Sequence, residues 1–91
     1  MRYVAHVEVS LKPGLLDPQG KAIEGSLPAL GWSNVSDVRV GKYVRLVVDA
    51  TDLEAATTQV GDMSRRLLSN PVIEDAVIRE VLEDAVGNDR A

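Results

Sequence analysis

The run Leu11-Lys12-Pro13-Gly14-Leu15-Leu16-Asp17-Pro18-Gln19-Gly20-Lys21-Ala22 decides how the chain is read. It spells a strand end, a turn and the capped start of a helix. Pro13-Gly14 stops a strand, because Pro cannot donate to a ladder and the pair favours a turn. Asp17 suits an N-cap, where its carboxylate accepts from the orphan amides of the first helical turn. Pro18 then stands at the first helical position, where its missing N–H costs nothing.

Upstream of this run, Tyr3, Ala5, Val7, Val9 and Leu11 alternate with Val4, His6, Glu8 and Ser10. That period predicts a strand with one buried face. Downstream, Ile23, Leu27 and Leu30 form an apolar helical stripe, and Gly31 is expected to end the helix. This helix is intrinsically poor. Gly20 and Gly25 cost up to ~1 kcal/mol each relative to Ala, and Pro28 should kink or loosen the last turn.

Val35–Val40 and Tyr43–Asp49 read as a hairpin about Gly41-Lys42. A tight two-residue turn would mix polar and apolar residues on each face. Placing Val40 opposite Val44, with a bulge at Gly41, puts Val38, Val40, Val44, Leu46 and Val48 on one face. The second register is the better expectation. Thr51-Asp52-Leu53-Glu54 has the form of a capping box, and Leu53, Ala56, Val60, Met63 and Leu67 follow as a stripe. Arg65 and Arg66 suit the C-terminal end of that helix, and Asn70-Pro71 closes it. A last strand spans Val72–Leu82, with Ala76 and Ile78 facing one way and Val77 and Val81 the other. Residues 83–91 are acidic and read as a flexible tail, leaving 1–82 as a single domain. The order βαββαβ predicts an α+β fold of ferredoxin-like form. It would have a four-stranded, mostly antiparallel sheet with two helices on one face.

Composition narrows the function. Net charge is −4 and Phe is absent, with a pI near 4.8. Nucleic-acid binding needs Lys and Arg to neutralise phosphates and aromatics to stack on bases, so it is not expected. There is no Cys, hence no disulfide or thiolate metal site. Met1-Arg2-Tyr3-Val4 enters a strand pattern directly, so no signal peptide is expected. No apolar run approaches the ~20 residues of a membrane span. A cytoplasmic location fits all of this.

Chemistry is sparse. His6 is the single histidine, and with Glu8 it cannot complete a metal site or a relay. Gly41-Lys42 lacks the upstream glycine and the following Ser or Thr of a phosphate loop, so a turn is the simpler reading. Asn34-Val35-Ser36 matches a glycosylation sequon by chance. Asp17 with Glu24, or Glu74 with Asp75, are carboxylate pairs, but capping and solvated surface explain them. Lys12, Lys21, Arg39, Lys42 and Arg45 are spread along loop and strand positions, where solvated surface is the simpler reading and a basic patch toward a negatively charged partner or phosphate ligand is the alternative. The polar side of the sheet is more suggestive. Val4, His6, Arg39, Arg45, Val47, Val77 and Val81 would mix there with no helix above them, and a half-apolar open face usually meets another subunit. Val4, His6, Val47, Val77 and Val81 are the candidates for self-association.

Leu11 to Gly20, Val38-Arg39-Val40-Gly41-Lys42-Tyr43, the helix leading to Arg66-Leu67-Leu68, and Ser69-Asn70-Pro71-Val72-Ile73-Glu74-Asp75 stand in one order. Together they resemble PurS, the small subunit family of phosphoribosylformylglycinamidine synthase. The resemblance covers the chain to about Leu82. It implies an accessory subunit of a ligase complex in purine biosynthesis, with no catalytic, cofactor-binding or metal residue of its own. It further implies a PurL synthetase partner that uses ATP and magnesium, a PurQ glutaminase partner, assistance to ammonia transfer between them, and a homo-oligomer, dimer or tetramer. Most motif positions have structural readings as turn, cap or helix stop. Lys12, Gln19, Arg39 and Lys42 are the better candidates for partner contact. Two other classes share this size and topology. An acylphosphatase-like hydrolase would need an Arg in the loop after the first strand, where Lys12-Pro13-Gly14-Leu15-Leu16 stands instead. A regulatory small-molecule-binding module is the other.

Overall fold

A computed structural model describes residues 1–84. The elements are β1 (Arg2–Leu11), α1 (Pro18–Ser26), a 3-10 turn (Pro28–Leu30), β2 (Gly41–Asp49), α2 (Leu53–Met63), a π-type turn (Ser64–Leu68) and β3 (Glu74–Glu83). The first strand is central. The sheet order is β2-β1-β3, with β1 antiparallel to both neighbours.

The alternation in β1 works as read. Tyr3, Ala5, Val7 and Val9 are buried beneath Ala56 and Val60 of α2. In register, Val7 lies between Val44 and Ile78, and Ala5 between Leu46 and Val81. Val44, Leu46 and Val48 share the face expected of them, but opposite β1 rather than opposite Val35–Val40.

The α+β class stands, whereas the four-stranded ferredoxin-like sheet does not form. Among the described residues the sheet has three strands. The missing strand is Val35–Val40, so neither hairpin register about Gly41 applies. Two of its backbone donors are taken by carboxylates. The Val40 N–H donates to Asp17 Oδ2 at 2.7 Å, and the Val38 N–H to Glu24 Oε1 at 3.3 Å. Asp37 also adopts φ 58°, which breaks an extended run.

Among the described residues, only α2 covers the sheet. α1 packs on the 3-10 turn and on the returning segment at Val38–Val40. It ends at Ser26, and Pro28 opens the 3-10 turn. Pro28 thus redirects the chain rather than kinking a helix. Gly31 closes the turn at φ 106°, a conformation that suits glycine. The stripe of Ile23, Leu27 and Leu30 is left largely uncovered: Ile23 is 45% and Leu30 69% exposed.

Five smaller differences from the sequence expectation have local causes. The cap of α2 is Asp52, which accepts from the Ala55 N–H at 2.8 Å, not Thr51. At the other end the Ser69 N–H reaches back to the Ser64 carbonyl at 3.0 Å, a five-residue step. The extra residue shifts the helical phase, so Leu68 packs on the core and Leu67 is 82% exposed. In β3 a bulge between the His6 and Val7 pairings inserts Arg79. Side-chain parity reverses there, and Val81 turns to the helix side, where it packs against the core. Arg39 also leaves the expected face, because it lies in the return loop rather than in a strand. At the C-terminal end, Glu83 belongs to β3 and the Asp84 N–H donates to the Arg2 carbonyl at 2.8 Å. The remainder of the expected tail, 85–91, lies outside the described residues.

Candidate functional site

Three segments far apart in sequence meet at the Leu11 end of the sheet. They are the β1–α1 turn, the return loop into β2, and the turn before β3. Asp17 joins the first two. Its carboxylate is buried, at 4% exposure. It accepts from the Gly20 N–H at 2.9 Å as an N-cap and from the Val40 N–H at 2.7 Å. Arg39 adds a second tie, donating Nη1 to the Leu15 carbonyl at 2.8 Å and Nη2 to the Lys12 carbonyl at 3.2 Å. Lys12 reaches the third segment. Its N–H donates to the Ile73 carbonyl at 2.8 Å, and its Nζ pairs with Asp75 Oδ1 at 2.7 Å. The Asn70 turn is closed by Glu74, whose Oε1 accepts the Asn70 N–H at 2.7 Å.

The Gly20 and Val40 amides, helped by the Arg39 guanidinium, hold the Asp17 carboxyl below the usual carboxylate range, with burial opposing them. A depressed folded-state pKa stabilises the fold above the unfolded value of about 3.9. That contribution is lost as pH falls through the folded value. Asp17→Asn is therefore expected to lower the melting temperature at pH 7. The gap to the wild type should close in acid, once the wild-type carboxyl is protonated too. Thermal scans from pH 7 to pH 2 read this directly, and a gap constant with pH would contradict it.

The four partner-contact candidates all surround this end of the sheet. Lys12 and Arg39 are brought together, but their side chains are engaged within the chain. Gln19 and Lys42 are exposed and line one groove with Val9, Pro18, Val40 and Glu74. No hydrogen bond or ion pair occupies their side chains among the described residues. These two are the groups free to meet another molecule.

The self-association candidates divide. Val4, His6, Val47 and Val77 lie on the open face, away from α2, and Val81 does not. The sequence reading missed three neighbours on that face, Tyr43, Arg79 and Leu82. Tyr43 stacks on His6, with ring centroids 5.6 Å apart, and its hydroxyl bonds His6 Nδ1. Arg79 Nε donates to Glu8 Oε1 at 2.8 Å, and Leu82 stands beside Val4. The signal that would have found them is the pairing of β1 with both other strands. Among the described residues, no group of three or more His, Asp and Glu side chains is placed to hold a metal ion. No helix there is long and apolar enough to cross a membrane.

The model of the PurS family, phosphoribosylformylglycinamidine (FGAM) synthase, matches residues 4–81. The chain belongs to the PurS family. The PurS subunit of Bacillus subtilis is 42% identical over 73 residues, 80% of this chain and 86% of that protein. The PurS subunit of Mycobacterium leprae is 43% identical over 74 residues, 81% and 90% of the two chains. Among solved structures, Thermus thermophilus PurS superposes with a TM-score of 0.80 at 42% identity, covering 91% of this chain and 98% of that one. A chain in the structure of PurLQS from Thermotoga maritima does so with a TM-score of 0.81 at 31% identity, covering 88% and 98%. As a PurS chain, the protein is a subunit of FGAM synthase, a ligase complex of purine biosynthesis. The hydrolase and small-molecule-module readings give way to this one. The meeting of three segments at the Leu11 end also explains why PurS-like motifs lie so far apart in this sequence. Three of the four motif segments each supply one strand end or turn of that junction, and the fourth, at Arg66-Leu67-Leu68, ends the second helix.

Proposed function

We propose that this PurS chain is a non-catalytic accessory subunit that joins a PurL synthetase to a PurQ glutaminase and helps ammonia pass between them. The family match over residues 4–81 carries the reading, and the likeness to a chain of Thermotoga maritima PurLQS supports it. In this reading ATP and magnesium are used by the synthetase, this chain holds no cofactor, and the complex works in the cytoplasm. The junction at the Leu11 end meets a partner through Gln19 and Lys42, with Lys12 and Arg39 holding its shape. The open sheet face self-associates to a dimer or tetramer. Tyr43, Val47, Val77 and Leu82 on that face are all exposed among the described residues.

Reconstitution tests this. Adding the chain to the cognate synthetase and glutaminase is expected to raise glutamine-dependent formation of formylglycinamidine ribonucleotide strongly. High ammonium supplied directly should partly bypass the need, because free ammonia then requires no assembled path. Equal glutamine-dependent rates with and without the chain would overturn the proposal.

A further inference from the structure

We propose that the connection from α2 to β3 is a preformed knob, in which Leu67 and Val72 fit an apolar pocket rimmed by carboxylates on a different subunit of FGAM synthase. This rests on the accessory role proposed above and adds a surface to it.

Leu67 and Val72 are the two most exposed large apolar side chains among the described residues, at 82% and 80%. A lone exposed apolar residue needs no explanation. Here two stand in one short connection, and the backbone around both is locked. The Ser69 N–H and hydroxyl both donate to the Ser64 carbonyl, and the buried Ser64 hydroxyl donates to the Val60 carbonyl. That wide step seats Leu68 against the core, so Leu67 has no place there. One-residue insertions of this kind in helices are frequent at functional sites. Around Val72, Asn70 Oδ1 accepts from the Val72 N–H, and the Asn70 carbonyl accepts from the Ile73 and Glu74 N–H groups. Pro71 fixes a further torsion. The Lys12 N–H ties the Ile73 carbonyl to β1. An apolar group ordered in advance loses little freedom on binding, which suits it to anchor a partner.

Position and charge say what meets it. Glu74, where the connection ends, lines the groove that holds Gln19 and Lys42. The knob is therefore continuous with the end of the sheet assigned to a partner. Arg66 stands next to Leu67 and makes no hydrogen bond or ion pair among the described residues, while Arg65 is paired with Asp62. A free cation beside an apolar anchor matches a pocket with a carboxylate at its rim. A second copy does not fit. A two-fold contact through this patch would set Arg66 of one copy against the same patch of the other, cation facing cation.

Binding of the full chain to the immobilised cognate synthetase and glutaminase, each alone, tests this. Leu67→Glu and Val72→Glu should each weaken capture by one of the two subunits at least roughly tenfold, by burying an unpaired charge. Melting temperature and self-association should stay as in the wild type, because both side chains lie in solvent. Arg66→Glu should weaken the same contact, and added salt should weaken the wild-type contact. Unchanged affinity of the two Glu variants for both subunits would overturn the knob. So would a comparable loss of self-association, which would make a second copy the occupant. Wild-type affinity independent of salt would overturn the carboxylate rim. A wild-type chain that binds neither subunit would overturn the accessory role as well, which separates that failure from the others.

Discussion

Gly20→Ala is expected to lower the melting temperature, although alanine is the better helix former. A Cβ at Gly20 would stand 2.0 Å from the Val38 carbonyl oxygen and 3.2 Å from the Asp17 carboxyl carbon. Neither neighbour can yield cheaply. The oxygen is backbone, and the segment is held by the Asp17–Val40 bond. Overpacking of this kind costs about 1–3 kcal/mol, against a propensity gain of up to ~1 kcal/mol. Gly25→Ala is the matched control. It lies in the same helix with nothing within 4 Å of its would-be Cβ, so it should stabilise by up to ~1 kcal/mol. Calorimetry on the two variants separates close approach from propensity. Equal stabilisation by both would mean that the return loop does not press on the helix as described.

The second large effect belongs to the core. Val7 is fully buried between Val44 and Ile78. Val7→Ala removes two methyl groups at ~0.8 kcal/mol each and leaves a cavity, for about 2–3 kcal/mol in all. In a domain of this size that is a fall of roughly 10–20 °C in melting temperature. Val47→Lys should do the opposite on both counts. Val47 is 40% exposed on the open face, so the domain should melt nearly as before while self-association weakens. Sedimentation and thermal scans on the same two samples distinguish them. A large thermal loss in Val47→Lys without a change in association would remove the open face from the interface.

What the sequence revealed and what it hid divide along physical lines. Local codes were legible. Asp17-Pro18 capped α1, the alternation from Tyr3 to Val9 faced the core, and Asn70-Pro71 preceded the turn into β3. Effects that depend on distant partners were not. Val35–Val40 looks like a strand by composition, and only the carboxylates of Asp17 and Glu24 draw its amides away from a ladder. Single-residue slips were hidden as well. The bulge at Arg79 reversed Val81, and the wide turn after Ser64 exchanged Leu67 for Leu68. The junction at the Leu11 end was visible only as scattered motifs, because the lysine that touches Asp75 lies in the first strand's turn.

The central position of the first strand constrains how the chain comes together in time. β1 pairs on both sides, yet its nearest strand partner begins at Gly41 and its other neighbour only at Glu74. Glu8 and Arg79 meet across 71 residues. Neither ladder can form early, and folding dominated by such distant pairings runs slowly, in about milliseconds to seconds. During synthesis the most apolar strand emerges first and waits, with one edge unsealed until Ile78 has left the ribosome. An interrupted chain that stops short of β3 would carry that edge exposed, a template for pairing with other chains.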